Sequence, residues 1–243
     1  MNPDAMIPYG LALQAYFQGE TAAQVIIRRD DGLETVMPVS YFFRSTTDFF
    51  PIEVAALQQC RGQVLDIGAG SGLHSLVLQS HGLVVTAIDI DPAVVEIMSQ
   101  RGVRDKHVAD ILQYRGGPFD TLLMLGHGIG MVEDMHGLND FLISARQLTR
   151  SDGQLLLHSL DVRQAGDPGH RAYHEANRRA GRYVGETRLQ FEYRGESGPY
   201  CGWLHIDPGT LAEQAEQAGW DVEIVLEHEG GEYLARLTRQ RAD

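Results

Sequence analysis

The sequence is poor in lysine and basic charge, and this bounds what the protein can bind. Lys106 is the only lysine among 243 residues, and 20 basic residues face 33 acidic ones, giving a formal net charge of −13. Nucleic-acid binding needs clustered basic side chains that neutralise phosphates. This charge balance therefore disfavours a nucleic-acid partner.

Cysteine and long apolar runs are also scarce. Cys60 and Cys201 form no CxxC pair or zinc spacing, and the histidines show no metal spacing either, so we predict no metal site. No apolar run approaches membrane-spanning length, and the first ten residues lack the features of a signal peptide. We expect a soluble cytoplasmic protein with no membrane partner, and 43% apolar residues suffice for one large core with a small cap.

The most informative stretch is VLDIGAGSG, residues 64–72. An aliphatic strand that meets closely spaced glycines and then a helix is typical of a turn that lets a ligand approach the backbone. Asp66 at the carboxyl end of such a strand favours a ligand with a positive group. Leu73 stands where the G-x-G-x-x-G pattern of dinucleotide folds needs its last glycine. The stretch instead suits a nucleoside with an ammonium group and no phosphate, such as S-adenosylmethionine.

Three later stretches follow this one in order. They are TAIDIDP (86–92), VADI (108–111) and FDTLLMLGHGIG (119–130). With these four motifs, the sequence from about Cys60 to Gln240 resembles the class I S-adenosylmethionine-dependent methyltransferases. The resemblance implies an α/β fold: a Rossmann-like doubly wound sheet, mostly parallel with an antiparallel last strand, that binds S-adenosyl-L-methionine as its cofactor.

The motifs also give the candidate cofactor site. Asp89 follows Gly68 by twenty-one residues, a distance at which its carboxylate can reach the ribose hydroxyls. The resemblance implies that Asp110 accepts the adenine amine while Ile90 and Ile111 sandwich the ring. The full set of predicted cofactor-binding residues is Asp66, Gly68, Ala69, Gly70, Gly72, Asp89, Ile90, Asp110, Ile111, Leu125 and Gly126.

Residues 1–59 precede the methyltransferase motifs and are predicted to form an N-terminal cap. It contains a short helix, a hairpin that turns at Asp31-Gly32, and a helix from Pro51 to Gln59. The aromatic residues of segment 41–50 either line a substrate cavity or pack the cap on the core. Arg44 in this segment is either a surface residue or a ligand of a carboxylate.

The methyltransferase domain is predicted to span residues 60–243. Asp91 and Pro92 begin a helix that stops at Gly102, and Ser151-Asp152-Gly153 is predicted to turn the chain into the fifth strand. An insertion from about 161 to 205 is longer than a strand-to-helix connection needs and contains an inserted β-hairpin. Together with the cap it could close the cavity as a lid, or it could cover exposed core or form a dimer surface.

The predicted function is transfer of a methyl group to a small-molecule acceptor by in-line displacement. His127 follows the fourth strand and is the candidate catalytic base, although it could equally hydrogen-bond the loop backbone. His158 and His205 are weaker alternatives. Two other functions remain open, a non-catalytic regulator that binds the cofactor or its demethylated product, and an NAD-dependent oxidoreductase. The acceptor atom and the oligomeric state are left open.

Overall fold

A computed structural model describes residues 1–164 and 168–240. The predicted insertion includes residues 165–167, and the predicted methyltransferase domain includes 241–243; both stretches lie outside the described residues. The α-helices are α1 (Ile7–Phe17), α2 (Pro51–Gln59), α3 (Leu73–Ser80), α4 (Pro92–Arg101), α5 (Met135–Leu148), α6 (Pro168–Arg179) and α7 (Pro208–Gln217). None of the described helices is long and apolar enough to cross a membrane.

The β-strands of the described chain form two sheets. The strands are β1 (Gln24–Arg29), β2 (Glu34–Pro38), β3 (Gln63–Ile67), β4 (Val84–Asp89), β5 (Asp105–Val108), β6 (Phe119–Met124), β7 (Thr149–Leu160), β8 (Glu186–Tyr193), β9 (Glu196–Ser197), β10 (Cys201–Leu204), β11 (Trp220–Glu227) and β12 (Glu232–Arg239).

The larger sheet has the order β11-β12-β7-β6-β3-β4-β5. Strands β5, β4, β3, β6 and β7 run parallel, whereas β12 lies antiparallel between β7 and β11. Helices α3, α4 and α5 connect successive parallel strands, as a doubly wound sheet requires. The predicted Rossmann-like fold with an antiparallel last strand is therefore confirmed.

Local sequence signals account for most of these boundaries. The carboxylate of Asp91 accepts a hydrogen bond from the backbone N–H of Ala93 at 2.8 Å, and Pro92 is the first residue of α4. Gly102 ends α4 with φ 95°, a backbone conformation that glycine adopts at little cost. Strand β6 is buried from Thr121 to Met124, which explains its unbroken apolar character.

The predicted turn at Ser151-Asp152-Gly153 is wrong. These residues lie within β7, which begins at Thr149. The pairing with β6 shifts there, because Phe119 pairs with Thr149 whereas Thr121 pairs with Gln154. The turn-forming residues are accommodated as an irregularity of the strand, so local turn chemistry yields to the sheet.

The smaller sheet joins the N-terminal hairpin to the insertion. Its order is β10-β8-β1-β2, and β9 pairs with β8. The predicted hairpin at Asp31-Gly32 is present as β1 and β2, and β1 also pairs antiparallel with β8, for example Ile27 with Phe191. The predicted inserted hairpin is present, because β8 and β10 pair antiparallel, and β1 from the start of the chain extends it on the other edge of β8.

The insertion packs directly on the loop that follows β6. The ring of Trp203 in β10 lies so close to Gly130 that an added Cβ atom would come within 2.1 Å of it. An added Cβ atom at Gly202 would likewise lie 2.7 Å from the Cβ atom of Glu133. These contacts hold the smaller sheet against the carboxyl end of β6, the edge at which open α/β sheets bind ligands.

Candidate active site

A cavity of about 530 Å³ lies between the carboxyl ends of β3, β4 and β6 and the smaller sheet. Ile27, Leu189, Phe191 and Trp203 contribute an apolar wall from the smaller sheet. The predicted site residues that line the cavity are Asp66, Gly68, Ala69, Gly70, Asp89, Ile90, Leu125, Gly126 and His127.

The glycine turn presents its backbone to this cavity. Gly68 and Gly70 have φ angles of 66° and 55°, in the left-handed region that favours glycine. Ala69 donates its backbone N–H to the carbonyl of Ile88 at 3.0 Å, which ties the turn to β4. The nearest atom to an added Cβ at Gly70 would be the hydroxyl of Tyr9, 3.7 Å away across the cavity. A side chain at Gly70 would therefore occupy ligand space.

Gly72 and Ile111, two of the three predicted cofactor-binding residues that do not line this cavity, pack against other parts of the protein. Gly72 is the N-cap residue of α3, and an added Cβ there would lie 2.6 Å from Val103. Its role is the close packing of the turn on the neighbouring segment. Ile111 is 6% exposed and packs in the main core cluster. For both residues, spacing in the sequence does not reveal on which side of the backbone the ligand space lies.

Asp89 lies at the end of β4 and faces the cavity. Its carboxylate accepts hydrogen bonds from the backbone N–H of Gly70 at 3.0 Å and from that of Asp91 at 3.1 Å. Burial raises the pKa of Asp89 to about 6, and these backbone hydrogen bonds oppose the rise. The group is thus held at the glycine turn as a strong acceptor that ionises close to neutral pH.

Asp66 is buried at the end of β3. Its carboxylate accepts a hydrogen bond from the Ser75 hydroxyl at 2.6 Å. Burial raises the pKa of Asp66, while nearby His74 and the Ser75 hydroxyl act in the opposite direction. A cationic group in the cavity would compensate the charge that burial leaves poorly solvated.

Asp110 lies beside a second cavity of about 470 Å³. Ile90 lines both cavities. One carboxylate oxygen of Asp110 accepts the backbone N–H of Leu112 at 2.9 Å, which fixes the side chain at the entrance of the following turn. The structure therefore brings Asp110 close to the glycine-turn site without placing it in the same cavity.

The cap contributes an ion-pair network that sequence reasoning missed. Glu53 accepts hydrogen bonds from Arg44 at 2.9 Å and from the Nε2 atom of His74 at 2.8 Å, and all three residues line the larger cavity. Burial alone would raise the pKa of Glu53, but its bonds to His74 and to the Phe50 backbone N–H lower it. Arg44 stacks 3.9 Å from the Tyr41 ring centroid and is not a surface residue.

The two interpretations of the aromatic segment each hold for some of its residues. Tyr41, Phe42 and Phe50 line the cavity. By contrast, Phe43 stacks on Tyr16 with ring centroids 4.8 Å apart, and it packs the cap together. Residues of the segment therefore divide between the ligand cavity and the core of the cap.

His127 follows β6 and has φ 58°. Its Nε2 atom lies 3.2 Å from Oε1 of Glu232 on β12. The ring centroid of His158 on β7 lies 4.3 Å from that of His127, and the ring of His205 lies 5.6 Å from it. Burial, followed by the neighbouring imidazole of His127, lowers the pKa values of His158 and His205 to about 3.

The absence of a metal site stays a prediction from spacing, but the histidine cluster shows what spacing along the chain does not reveal. One ligand atom each from His127, His158 and Glu232 lies within 4.8 Å of the others, a grouping that could hold a metal ion. The three residues are 31 and 74 positions apart along the chain, so no short spacing pattern could reveal them. Adjacent strands bring His158 and Glu232 together, since Leu160 pairs with Glu232.

Comparisons with known proteins agree with the geometry. The family model described as "Methyltransferase domain" matches residues 40–225. A solved S-adenosylmethionine-dependent methyltransferase from Bacteroides fragilis, in complex with S-adenosyl-L-homocysteine, is 33% identical with a TM-score of 0.86. That match covers 99% of this chain and 98% of the other chain.

Two curated proteins are more distantly similar. Demethylmenaquinone methyltransferase of Tropheryma whipplei is 26% identical over 165 residues, which are 65% of this chain and 66% of that protein. The mitochondrial ubiquinone biosynthesis O-methyltransferase of Schizosaccharomyces pombe is 26% identical over 127 residues, 49% of this chain and 46% of that protein. The chain thus spans less than two thirds of the length of either relative.

The family model covers more than half of the chain, and the sheet order, the glycine turn and the antiparallel last strand agree with it. The fold and the comparisons give no support to an NAD-dependent oxidoreductase. This chain belongs to the methyltransferase-domain family and is a class I S-adenosylmethionine-dependent methyltransferase.

Proposed function

We propose that this methyltransferase transfers the methyl group of S-adenosylmethionine to a small organic acceptor enclosed between its two sheets. The observation that carries the proposal is that the larger cavity is continuous from the glycine turn to His127 and lies under the apolar wall of the smaller sheet. Cavities of this size that are mainly apolar with a few convergent polar groups are typical small-molecule sites.

In this proposal the cofactor lies along the edge of the larger sheet. Its nucleoside covers Gly68, Ala69 and Gly70, and the ribose hydroxyls donate hydrogen bonds to Asp89. Adenine lies against Ile90 and extends toward Asp110. Leu125 and Gly126 border the methionine part, whose ammonium group is attracted by the buried carboxylate of Asp66. Gly72 and Ile111 support this surface from behind.

The acceptor then occupies the part of the cavity beside His127. Because a sulfonium is already an activated leaving group, the protein mainly aligns acceptor, methyl carbon and sulfur in one line. The C–S bond breaks as the acceptor–C bond forms, and an acceptor hydroxyl or amine must also lose a proton. His127 is the proposed proton acceptor, oriented by Glu232 at 3.2 Å.

The curated relatives support a small-molecule acceptor. Their names describe methyl transfer to demethylmenaquinone and O-methylation in ubiquinone biosynthesis. The wall formed by Ile27, Phe191 and Trp203 would suit an apolar or aromatic acceptor. The absence of a nucleic-acid partner and the cytoplasmic location stay predictions from composition.

We also propose that the cap (1–59) and the insertion (about 161–205) act together as the lid of the methyltransferase domain (60–243). The pairing of β1 with β8 supports this, because it makes one sheet of the two segments. The contact of Trp203 with Gly130 supports it as well, since this part of the sheet rests on the acceptor loop. A lid excludes water from the sulfonium and the attacking atom.

A labelled-cofactor experiment tests the proposal. The protein is incubated with methyl-labelled S-adenosylmethionine and a panel of phenols, quinols, carboxylic acids and amines, and low-mass products are separated from protein. We expect label in one low-mass class and an equal amount of S-adenosylhomocysteine. Tight binding of S-adenosylhomocysteine with no transfer to any acceptor would favour the non-catalytic regulator, and label found only in protein would contradict a small-molecule acceptor.

A further inference from the structure

Several imidazole nitrogens beside the acceptor part of the cavity are buried without a hydrogen bond. Among the described residues, Nδ1 and Nε2 of His158 and Nδ1 of both His127 and His205 have no partner. His158 is 6% exposed. Buried polar atoms usually have hydrogen-bond partners, and leaving one without a partner destabilises the protein. A ligand bound at this point of the cavity would give these nitrogens a partner.

The arrangement has the composition and approximate geometry of a metal site. Ligand atoms of His127, His158 and Glu232 lie within 4.8 Å of one another. A tetrahedral ion with bonds of about 2.1 Å holds its ligand atoms about 3.4 Å apart. The His127–Glu232 pair, at 3.2 Å, already meets this requirement. Side-chain rotations would bring the remaining ligand atoms, which lie within 4.8 Å of one another, to this separation.

The elements that carry these residues are well suited to hold an ion. His158 and Glu232 lie on neighbouring antiparallel strands of the larger sheet, so their backbones are fixed relative to each other. His127 is fixed by the turn after β6, where Gly130 donates its N–H to the His127 carbonyl at 2.9 Å. Sites on rigid elements reach productive geometry more reliably than sites on loose loops.

We infer that His127, His158 and Glu232 bind one divalent first-row transition-metal ion, with His205 beside it. Two imidazoles and a carboxylate suit ions such as Zn²⁺, Co²⁺ or Fe²⁺, whereas Mg²⁺ and Ca²⁺ prefer sets made only of oxygen atoms. Three protein ligands leave at least one coordination position free. All these side chains line the cavity, so an ion held between them would border the space proposed for the acceptor.

The role of this ion rests on the proposed function. An acceptor hydroxyl bound to the ion would lose its proton more readily, and the proton would leave to solvent before the lid closes over the acceptor. The resulting oxygen anion would then attack the methyl carbon, with the C–S electron pair passing to the sulfur of S-adenosylhomocysteine as the O–C bond forms. With the ion bound, His127 serves as a ligand, and the ion takes over the activation otherwise proposed for the imidazole.

Metal binding is measured first, without any acceptor. Chelator-treated protein is titrated with Co²⁺, and binding is followed by the visible ligand-field absorption of the bound Co²⁺. Zn²⁺, which is spectroscopically silent, is then added as a competitor. Mg²⁺ is added to a separate sample as a negative control. We expect one Co²⁺ per chain, displacement by Zn²⁺, and no displacement by equimolar Mg²⁺. Saturation at no defined stoichiometry, or equal competition by Mg²⁺, would overturn the inference.

Three variants locate the ion. Glu232→Gln and His158→Gln should each weaken Co²⁺ binding at least about 10-fold. His136→Gln is the control, because exposed His136 also pairs with a carboxylate, Asp140, at 3.7 Å, and should not change the affinity. Glu232 is half-buried, so its variant tests the site even if His158→Gln does not fold. Unchanged binding in Glu232→Gln, or equal loss in His136→Gln, would overturn the assignment.

A separate measurement distinguishes this inference from the proposed function. S-Adenosylhomocysteine binding is measured by calorimetry on the same samples, with and without chelator. The dissociation constants should agree within about 3-fold in all samples, because the part of the cavity that holds the cofactor does not include the ion. Once an acceptor is known, chelation should slow methyl transfer at least about 10-fold, and Zn²⁺ or Co²⁺ should restore it. Unchanged turnover after complete metal removal would overturn the role of the ion in transfer.

Discussion

At the scale of single residues, the account depends on a few groups at the glycine turn. Gly70 has room for a side chain only on the ligand side, because Tyr9 across the cavity is its nearest neighbour at 3.7 Å. Asp89 joins this turn to β4 by accepting the Gly70 N–H. Each residue therefore allows a test that separates ligand binding from folding.

Gly70→Val should abolish S-adenosylhomocysteine binding, with an affinity loss of at least about 100-fold, because the branched side chain would fill the space proposed for the nucleoside. The matched control is Gly82→Val. Gly82 has φ 84° and no described atom within 4 Å of an added Cβ, so it imposes similar backbone strain far from the cavity. Calorimetry on both folded variants checks this, and undiminished binding in Gly70→Val would refute the site.

Asp89→Asn should weaken S-adenosylhomocysteine binding about 10-fold or more, because hydrogen bonds to a charged acceptor contribute about 1.5–3 kcal/mol. The parent should also show pH dependence. The Asp89 carboxyl group has a pKa of about 6 in the ligand-free protein. The affinity for S-adenosylhomocysteine should therefore rise as the pH increases through 6, because the ionised carboxylate is the stronger hydrogen-bond acceptor. The variant should lack this rise. A pH-independent parent, or an Asn variant that binds equally well, would contradict the role of Asp89.

The same group gives a stability prediction of defined sign. Because burial raises the folded-state pKa of Asp89 above the ordinary value of about 3.9, its contribution to stability is present below that value and is lost as the pH rises through about 6. The free Asp89→Asn protein should therefore gain thermal stability relative to the parent as the pH is raised from about 4 to 7. Melting curves across this range check the sign, and a relative loss would contradict it.

At the scale of elements, the smaller sheet combines the N-terminal strands β1 and β2 with strands that lie more than 140 residues later. Local patterns correctly predict β1 and β2, since Asp31-Gly32 lies between two strand-forming runs. They do not predict the pairing of β1 with β8, because main-chain pairing over 160 residues leaves no local signal. Truncating the cap would remove β1 from this sheet, so point variants test the lid more sharply.

Trp203→Ala should raise the acceptor KM at least about 10-fold while changing S-adenosylhomocysteine affinity less than about 3-fold. The indole forms part of the cavity wall and covers Gly130, so its removal opens the acceptor side and leaves the glycine turn intact. Tyr200→Ala is a control in the same segment, because Tyr200 is 41% exposed and does not line the cavity. Equal effects of the two variants on KM would show that β10 contributes only to general stability.

At the scale of the whole molecule, the larger sheet could be predicted because each strand and helix carries its own signal. Proline and aspartate begin α4, and a glycine ends it. The ion-pair network of Glu53 and the pairing of Glu232 with His127 could not be predicted from the sequence. Each depends on side chains that meet only after separate elements pack together. Gly72 shows an error in the other direction, since the motif predicts that it binds the cofactor. In the structure it instead allows close packing against Val103 and does not line the cavity.

The central claim is that cofactor and acceptor meet in the cavity between the two sheets. A crystal structure with S-adenosylhomocysteine bound tests it most directly. The account predicts ribose hydroxyls within hydrogen-bonding distance of Asp89, and a sulfur atom directed toward the space bordered by His127 and Trp203. A ligand bound outside this cavity, or one whose sulfur faces away from His127 with the lid closed, would contradict the account.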